Sequence, residues 1–121
     1  VEEYILIVDD YPSFRYLMRN LLLDSGYRVR SAANGLECLK IAGSASKPSL
    51  ILLDYQMPYM TGFEVLKALK GDEATRTIPV VMVSAEENLD KTAKSYGAIE
   101  VLTKPFEVNS LIEVIHRIRD K

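Results

Sequence analysis

The chain has 121 residues, 48% of them hydrophobic and 26% charged, with a formal net charge of −2 and a single cysteine. That length allows one domain with a proper core, spanning 1–121, and is too short for two. The charge excludes a global basic field for nucleic acid or an anionic membrane. One cysteine excludes a disulfide framework and points to a reducing, cytoplasmic compartment, and no apolar run approaches the roughly 20 residues of a membrane span.

No signal peptide is visible. The chain opens at Val1 rather than Met, which fits a domain excised from a longer protein as well as a stand-alone one. Tyr4-Ile5-Leu6-Ile7-Val8 is an apolar run that ends in Asp9-Asp10; it reads as a buried strand with two carboxylates at its carboxyl end. After Tyr11-Pro12-Ser13, apolar residues fall at Phe14, Leu17, Met18, Leu21 and Leu22, the stripe of an amphipathic helix. Gly26 is a natural left-handed stop for it. Tyr27 to Ala32 reads as a short strand. Asn34-Gly35-Leu36-Glu37 is close to a capping box, opening a helix whose inner face is Cys38, Leu39 and Ala42.

A loop through Gly43, Ser44, Ser46 and Pro48 leads to Leu50-Ile51-Leu52-Leu53-Asp54. Four consecutive aliphatic residues closed by turn residues form a strand buried on both faces, as in parallel sheets. Met57-Pro58 follows, then a Thr61-Gly62-Phe63-Glu64 capping box and a helix with Val65, Leu66 and Leu69 inside, ended by Gly71. A polar loop runs to Thr77. Pro79, acceptable at a strand's first residue, introduces Val80 to Val83, closed by Ser84-Ala85. Glu86 to Ser95 is expected to be a polar helix. Ile99 to Leu102 is the fifth strand and ends in Thr103-Lys104-Pro105-Phe106; Val108, Leu111, Ile112, Ile115 and Ile118 stripe the last helix.

Five strands alternating with five helices through short connections imply an α/β fold, a doubly wound five-stranded parallel sheet of flavodoxin-like order 2-1-3-4-5. Functional groups of such sheets collect beyond the carboxyl ends of the strands, at the switch point between strands 1 and 3. One Asp after a strand is, taken alone, an ordinary cap. Here Asp9, Asp10 and Asp54 converge on strands about 4.8 Å apart, and each pair of charges costs a few kcal/mol even at an effective dielectric near 20. Something positive must sit there, and hard oxygen ligands suit Mg²⁺ or Mn²⁺ better than zinc. Lys104, on a stiff Lys-Pro turn at the same rim, is the complementary cation. Ser84 fits two roles equally, a cap for the following helix or a donor to a phosphoryl oxygen. His116, the chain's one histidine, lies far along the last helix and is read as structural.

The acid pair after strand 1, Leu52-Leu53-Asp54 followed by Met57-Pro58, Gly62, Ser84-Ala85 and Lys104-Pro105-Phe106 together strongly resemble the response-regulator receiver domain of two-component signalling, from about Tyr4 to Arg119. Each motif alone is weak; all of them in order, on the right elements, are specific. The resemblance implies that Asp54 accepts a phosphoryl group from a phosphohistidine on a sensor histidine kinase or phosphotransfer protein. It implies that Asp10 binds Mg²⁺ directly, Asp9 mainly through water, and that Asp54 and the backbone carbonyl of Gln56 complete the protein ligands. Ser84, Ala85 and Lys104 would hold the phosphoryl oxygens. The only catalysis implied is of the domain's own phosphorylation and dephosphorylation. The output would be a changed affinity of the face formed by helix 4, strand 5 and helix 5 for a downstream protein or effector domain; homodimerisation through that face is common among relatives.

Two positions depart from or refine that pattern. The family couples the loop after strand 4 to an aromatic residue three before the strand-5 Lys, and here that residue is Val101, so a smaller or different rearrangement is expected. Gln56, two residues after the acceptor, lies near the expected path of hydrolytic water and can either orient or obstruct it. Tyr55 and Tyr59 frame the mouth. Three rival readings fit the sequence less well. A pseudo-receiver interaction module would typically lose an acid or the Lys, and this chain keeps the set. A flavin-binding protein needs a Ser/Thr/Gly-rich phosphate cradle after strand 1, where Asp9-Asp10 would repel the cofactor. An aspartyl-phosphate hydrolase would carry Asp-x-Asp rather than adjacent acids.

Overall fold

The computed structural model describes residues 3–119; Val1, Glu2, Asp120 and Lys121, the ends of the expected 1–121 domain, lie outside the described residues. The strands are β1 (Ile5–Val8), β2 (Val29–Ala32), β3 (Leu50–Asp54), β4 (Val80–Ser84) and β5 (Glu100–Thr103), and the helices α1 (Pro12–Asp24), α2 (Gly35–Ala42), α3 (Gly62–Gly71), α4 (Asp90–Ser95) and α5 (Val108–Arg119). The sheet runs β2-β1-β3-β4-β5, every pair parallel. This is the flavodoxin-like order expected from the alternation of elements. Among the described residues no helix is long and apolar enough to cross a membrane.

Strand side chains alternate between faces, so a fully apolar strand feeds two cores. Leu6, Val8, Ile51, Leu53, Val80 and Met82 pack with Cys38, Ala42, Val65, Leu66 and Leu69 on the α2–α3 side. Ile5, Ile7, Leu50, Leu52 and Val81 pack with Met18, Leu22, Leu111 and Ile115 on the α1–α5 side. The same alternation decides where the site lies. Asp9 continues the face of Ile5 and Ile7, Asp54 that of Leu50 and Leu52, and Lys104 that of Leu102, which also joins the α1–α5 core. The register Val8↔Leu53 sets Asp9 beside Asp54, and Ser84↔Thr103 sets Lys104 one residue beyond the end of β4.

Local signals hold with shifts that have physical causes. Thr61 and Glu64 form a full capping box. Asn34 Oδ1 accepts from the Glu37 backbone N–H, but the Glu37 carboxylate accepts from Ala33 N–H rather than from the cap residue itself. Gly26 is left-handed at φ +92°. β2 starts at Val29 rather than Tyr27, because Tyr27 N–H still bonds Leu22 O at the end of α1. β5 is shifted one residue on. The helix expected over Glu86–Ser95 contracts to Asp90–Ser95. Glu86 N–H turns back to Ser84 Oγ, Asn88 takes a left-handed φ of +66°, and the N-cap, Leu89, offers no side-chain acceptor. In the stripes, Leu17 and Val108 are exposed, whereas Val114 joins the core.

Candidate functional site

Every residue singled out at the strand ends is brought to one rim of the sheet. Asp9 is 1% exposed, Asp54 6% and Ser84 2%, so these polar groups sit at the top of the core rather than in solvent. Lys104 Nζ donates to Asp9 Oδ2 at 3.0 Å and to Asp54 Oδ1 at 3.5 Å. Asp9 Oδ1 accepts from Tyr11 N–H at 2.9 Å, and the Asp9 carbonyl accepts from the Arg15 guanidinium at 2.6 Å. The start of α1 is thereby fastened to the end of β1.

Asp9, Asp10 and Asp54 each offer a carboxylate oxygen, all within 4.8 Å of one another. One lysine ammonium faces these three carboxylates, leaving excess negative charge. Among the described residues, one buried side-chain polar atom has no hydrogen-bond partner, and it is Asp10 Oδ1. A buried carboxylate oxygen left without a donor is expensive, and a hard divalent cation removes that cost. The all-oxygen donor set beside an open cleft fits Mg²⁺, which keeps several waters and takes few protein carboxylates. Asp54 has its pKa pushed up to about 6, first by burial and next by the Asp9 charge, with Lys104 opposing.

Above Asp54 opens a cleft of about 370 Å³ lined by Asp10, Tyr11, Asp54, Gln56, Met57, Pro58, Ala85 and Lys104. Gln56 and Ala85 therefore line the cleft above Asp54. Tyr59 is 82% exposed, a rim residue that does not line the cleft. Tyr55 turns the other way and joins a row of rings: Tyr55 to Phe63 at 4.7 Å between centroids and Phe63 to Tyr96 at 5.3 Å. Ser84 does what a turn cap does, accepting from Glu86 N–H at 2.9 Å, yet a hydroxyl that accepts one bond keeps its own proton to donate. His116 is exposed against the Tyr27 ring, 5.9 Å between centroids, and stays away from the site.

Three participants escaped the sequence reading. Phe14, assigned to the helix stripe, lies under the lysine with its ring centroid 4.1 Å from Lys104 Nζ. Tyr11 and Arg15 brace Asp9. Nothing in the local pattern marks them, because their partners are set by the junction of β1 with α1 and by a lysine distant in sequence. Behind β3, Gly62 N–H donates to Tyr55 O at 2.7 Å, and a Cβ at Gly62 would lie 2.8 Å from Asp54 O and from Tyr55 Cα. That glycine allows α3 to pack directly against the backbone that carries Asp54.

Three carboxylates, an ammonium and a small hydroxyl at the switch point of a flavodoxin-like sheet define a class of site that holds a hard cation beside an anionic group. Residues 5–116 match the family model of the response regulator receiver domain, and the chain belongs to that family. It is 36% identical over 120 residues to the chemotaxis protein CheY of Pseudomonas aeruginosa, covering 97% of this chain and 96% of that one. It is 32% identical over 117 residues to sporulation initiation phosphotransferase F of Bacillus subtilis, covering 97% and 94%. Among solved structures it resembles the response regulator TrrA of Thermotoga maritima in complex with Mg(2+)-BeF, with a TM-score of 0.86, 28% identity and coverage of 96% and 98%. Receiver domains bind Mg²⁺ in this cleft and act as signalling switches rather than metabolic enzymes; nothing in the comparisons supports Mn²⁺.

Proposed function

We propose that the chain, as one unit over 1–121, is a phosphorylation-switched signalling module in which Asp54 accepts a phosphoryl group from the phosphohistidine of a sensor histidine kinase or phosphotransfer protein. The observation that carries this reading is the convergence of Asp9, Asp10 and Asp54 within 4.8 Å, with Lys104 reaching both Asp9 and Asp54.

Asp10, Asp54 and the Gln56 carbonyl would hold Mg²⁺ directly, with Asp9 acting mainly through water; the bound ion supplies charge neutralisation for the phosphoryl oxygens. The chain's own groups do the rest. An ionised Asp54 oxygen forms the new P–O bond as the P–N bond to the donor imidazole breaks, and the imidazole leaves with the bonding pair and takes a proton. The transition state of such a transfer is loose, so catalysis is largely positioning and electrostatic stabilisation. Lys104, already beside Asp54, meets the charge on the transferring oxygens, and the Ser84 hydroxyl and the Ala85 backbone complete their binding. The product is a mixed anhydride that hydrolyses readily, so the signal resets. Added charge and acceptor oxygens at Asp54 draw Ser84 and shift the loop toward α4. The face of α4, β5 and α5 then changes its affinity for a cytoplasmic protein target or effector domain, or for a second copy of the chain.

Intact mass after incubation with acetyl phosphate tests this. One added phosphoryl that requires both Mg²⁺ and Asp54, lost with EDTA and in Asp54→Asn, is the expected result. No adduct, under conditions that phosphorylate a control receiver, would leave an interaction module that never carries phosphate.

A further inference from the structure

We propose that Phe14 is a positioning residue for phosphoryl transfer, its ring face seating the Lys104 ammonium at the reaction centre; this rests on the phosphoacceptor reading above. Lys104 Nζ stands 4.1 Å from the Phe14 ring centroid, 3.0 Å from Asp9 Oδ2 and 3.5 Å from Asp54 Oδ1. The ring comes from the first turn of α1, Asp9 from the residue after β1 and Asp54 from the end of β3, so the ammonium is gripped from three elements. Phe14 also walls the narrow crevice beneath the site, together with Asp9, Asp54, Leu52 and Phe106.

The chemistry explains why a ring serves here. A lysine has four flexible methylenes, and holding its tip in one place forfeits rotamer freedom. Asp9 alone fixes one direction. A second carboxylate in place of Phe14 would fix another, but it would compete with the phosphoryl oxygens for the cation and add charge to a site already in excess. The face of an aromatic ring attracts the ammonium through its quadrupole while bearing no net charge and taking none of the three N–H donors. The lysine thus arrives pre-positioned with its charge, and with the N–H donor that neither Asp9 nor Asp54 takes, available to the incoming group. Were Phe14 only a core residue of α1, any apolar side chain of similar volume would serve.

The test replaces Phe14 with mono-, di- and trifluorophenylalanine, which weaken the ring quadrupole at nearly constant shape, and with Leu, Tyr and Trp. Readouts are the initial rate of Asp54 labelling by acetyl phosphate with Mg²⁺ and the urea midpoint. The expected result is a stepwise fall with fluorine count at unchanged midpoint. Phe14→Leu is expected to lose about five- to tenfold in rate, the size of a partly desolvated cation–π contact, with Tyr and Trp restoring it. Equal rates across the fluorinated series, with the wild type labelled normally, would overturn the role of Phe14 and leave the phosphoacceptor reading intact. An unlabelled wild type, beside a labelled control receiver, overturns that reading and the positioning role of Phe14 with it. The seat itself is judged independently by NMR: upfield ring-current shifts of the Lys104 ε-methylene protons in wild type, lost in Phe14→Leu, support the contact, and their absence in wild type refutes it.

Discussion

Lys104 Nζ sits 3.0 Å from Asp9 and 3.5 Å from Asp54, so the nearer partner of the ammonium is not the residue proposed to accept the phosphoryl group. Asp9, 1% exposed, is further held by Tyr11 N–H. Asp54 is left with weaker compensation, and burial followed by the Asp9 charge lifts its pKa from 3.8 to about 6. In metal-free protein the ionised Asp54 therefore opposes folding.

The sign of the resulting pH dependence follows from linkage. A carboxyl whose folded pKa is raised contributes stability that is fully present below the unfolded value of 3.8 and is lost as pH rises through about 6. Asp54→Asn removes the charge at constant shape. In EDTA, urea unfolding at pH 7.5 is expected to show the variant more stable by about 2–3 kcal/mol, the equivalent of the shift. The gain is expected to shrink as pH falls from about 6 and to vanish near pH 4. A variant less stable than wild type at pH 7.5 would mean that the Lys104–Asp54 contact outweighs burial.

Two glycines of one helix separate close packing from mere helix composition. At Gly62 a Cβ would meet Asp54 O and Tyr55 Cα at 2.8 Å, backbone that cannot rotate away, while at Gly71 nothing lies within 4 Å. Gly62→Ala is expected to cost about 1–3 kcal/mol by overpacking and to disturb the strand end that carries Asp54. Gly71→Ala is expected to be neutral or to stabilise by up to about 1 kcal/mol, because alanine loses less backbone entropy in a helix. Chemical denaturation of both variants checks the contrast.

The sheet order and the convergence of Asp9, Asp10, Asp54, Ser84 and Lys104 were legible because both depend on strand ends. An apolar run such as Leu50 to Leu53 announces its own boundary, and the topology of alternating elements then brings the ends together. The length of α4 was not legible: Glu86 to Ser95 has helix-compatible residues, but the bond from Glu86 N–H to Ser84 Oγ and the left-handed Asn88 are tertiary outcomes of how β4 ends. The placements of Phe14 and Tyr55 were hidden for the same reason. Periodicity says which helix face is apolar, not that one ring on it lies beneath a lysine from the other end of the chain, nor that the Tyr55 ring packs at a tilt against Phe63 of α3.

Tyr59 follows Pro58 with φ +73° and is 82% exposed, so no burial offsets the strain of a side-chain-bearing residue in the left-handed region. That conformation costs about 1–2 kcal/mol, partly returned when glycine's greater freedom in the unfolded chain is counted. Tyr59→Gly is expected to stabilise the protein by roughly 0.5–1 kcal/mol, read from the urea midpoint at constant m-value. Destabilisation instead would show that the ring makes a stabilising contact in solution.

Asp10 gives the clearest test of the cation site, because its Oδ1 is buried without a partner and its charge lies among two others whose oxygens are within 4.8 Å. Without metal, Asp10→Asn relieves repulsion, and a gain of about 1 kcal/mol or more is expected at neutral pH. With Mg²⁺ the ranking reverses. An ion that binds only the folded state adds RT ln(1 + [L]/Kd), about 2.7 kcal/mol at a hundredfold excess over Kd, and the variant lacks one of the ligands proposed for it. Thermal unfolding is therefore expected to show Tm rising with Mg²⁺ in wild type, staying nearly flat in Asp10→Asn, and the two curves crossing as the ion is titrated. Parallel curves would remove Asp10 from the ligand set and leave its orphaned oxygen unexplained by metal.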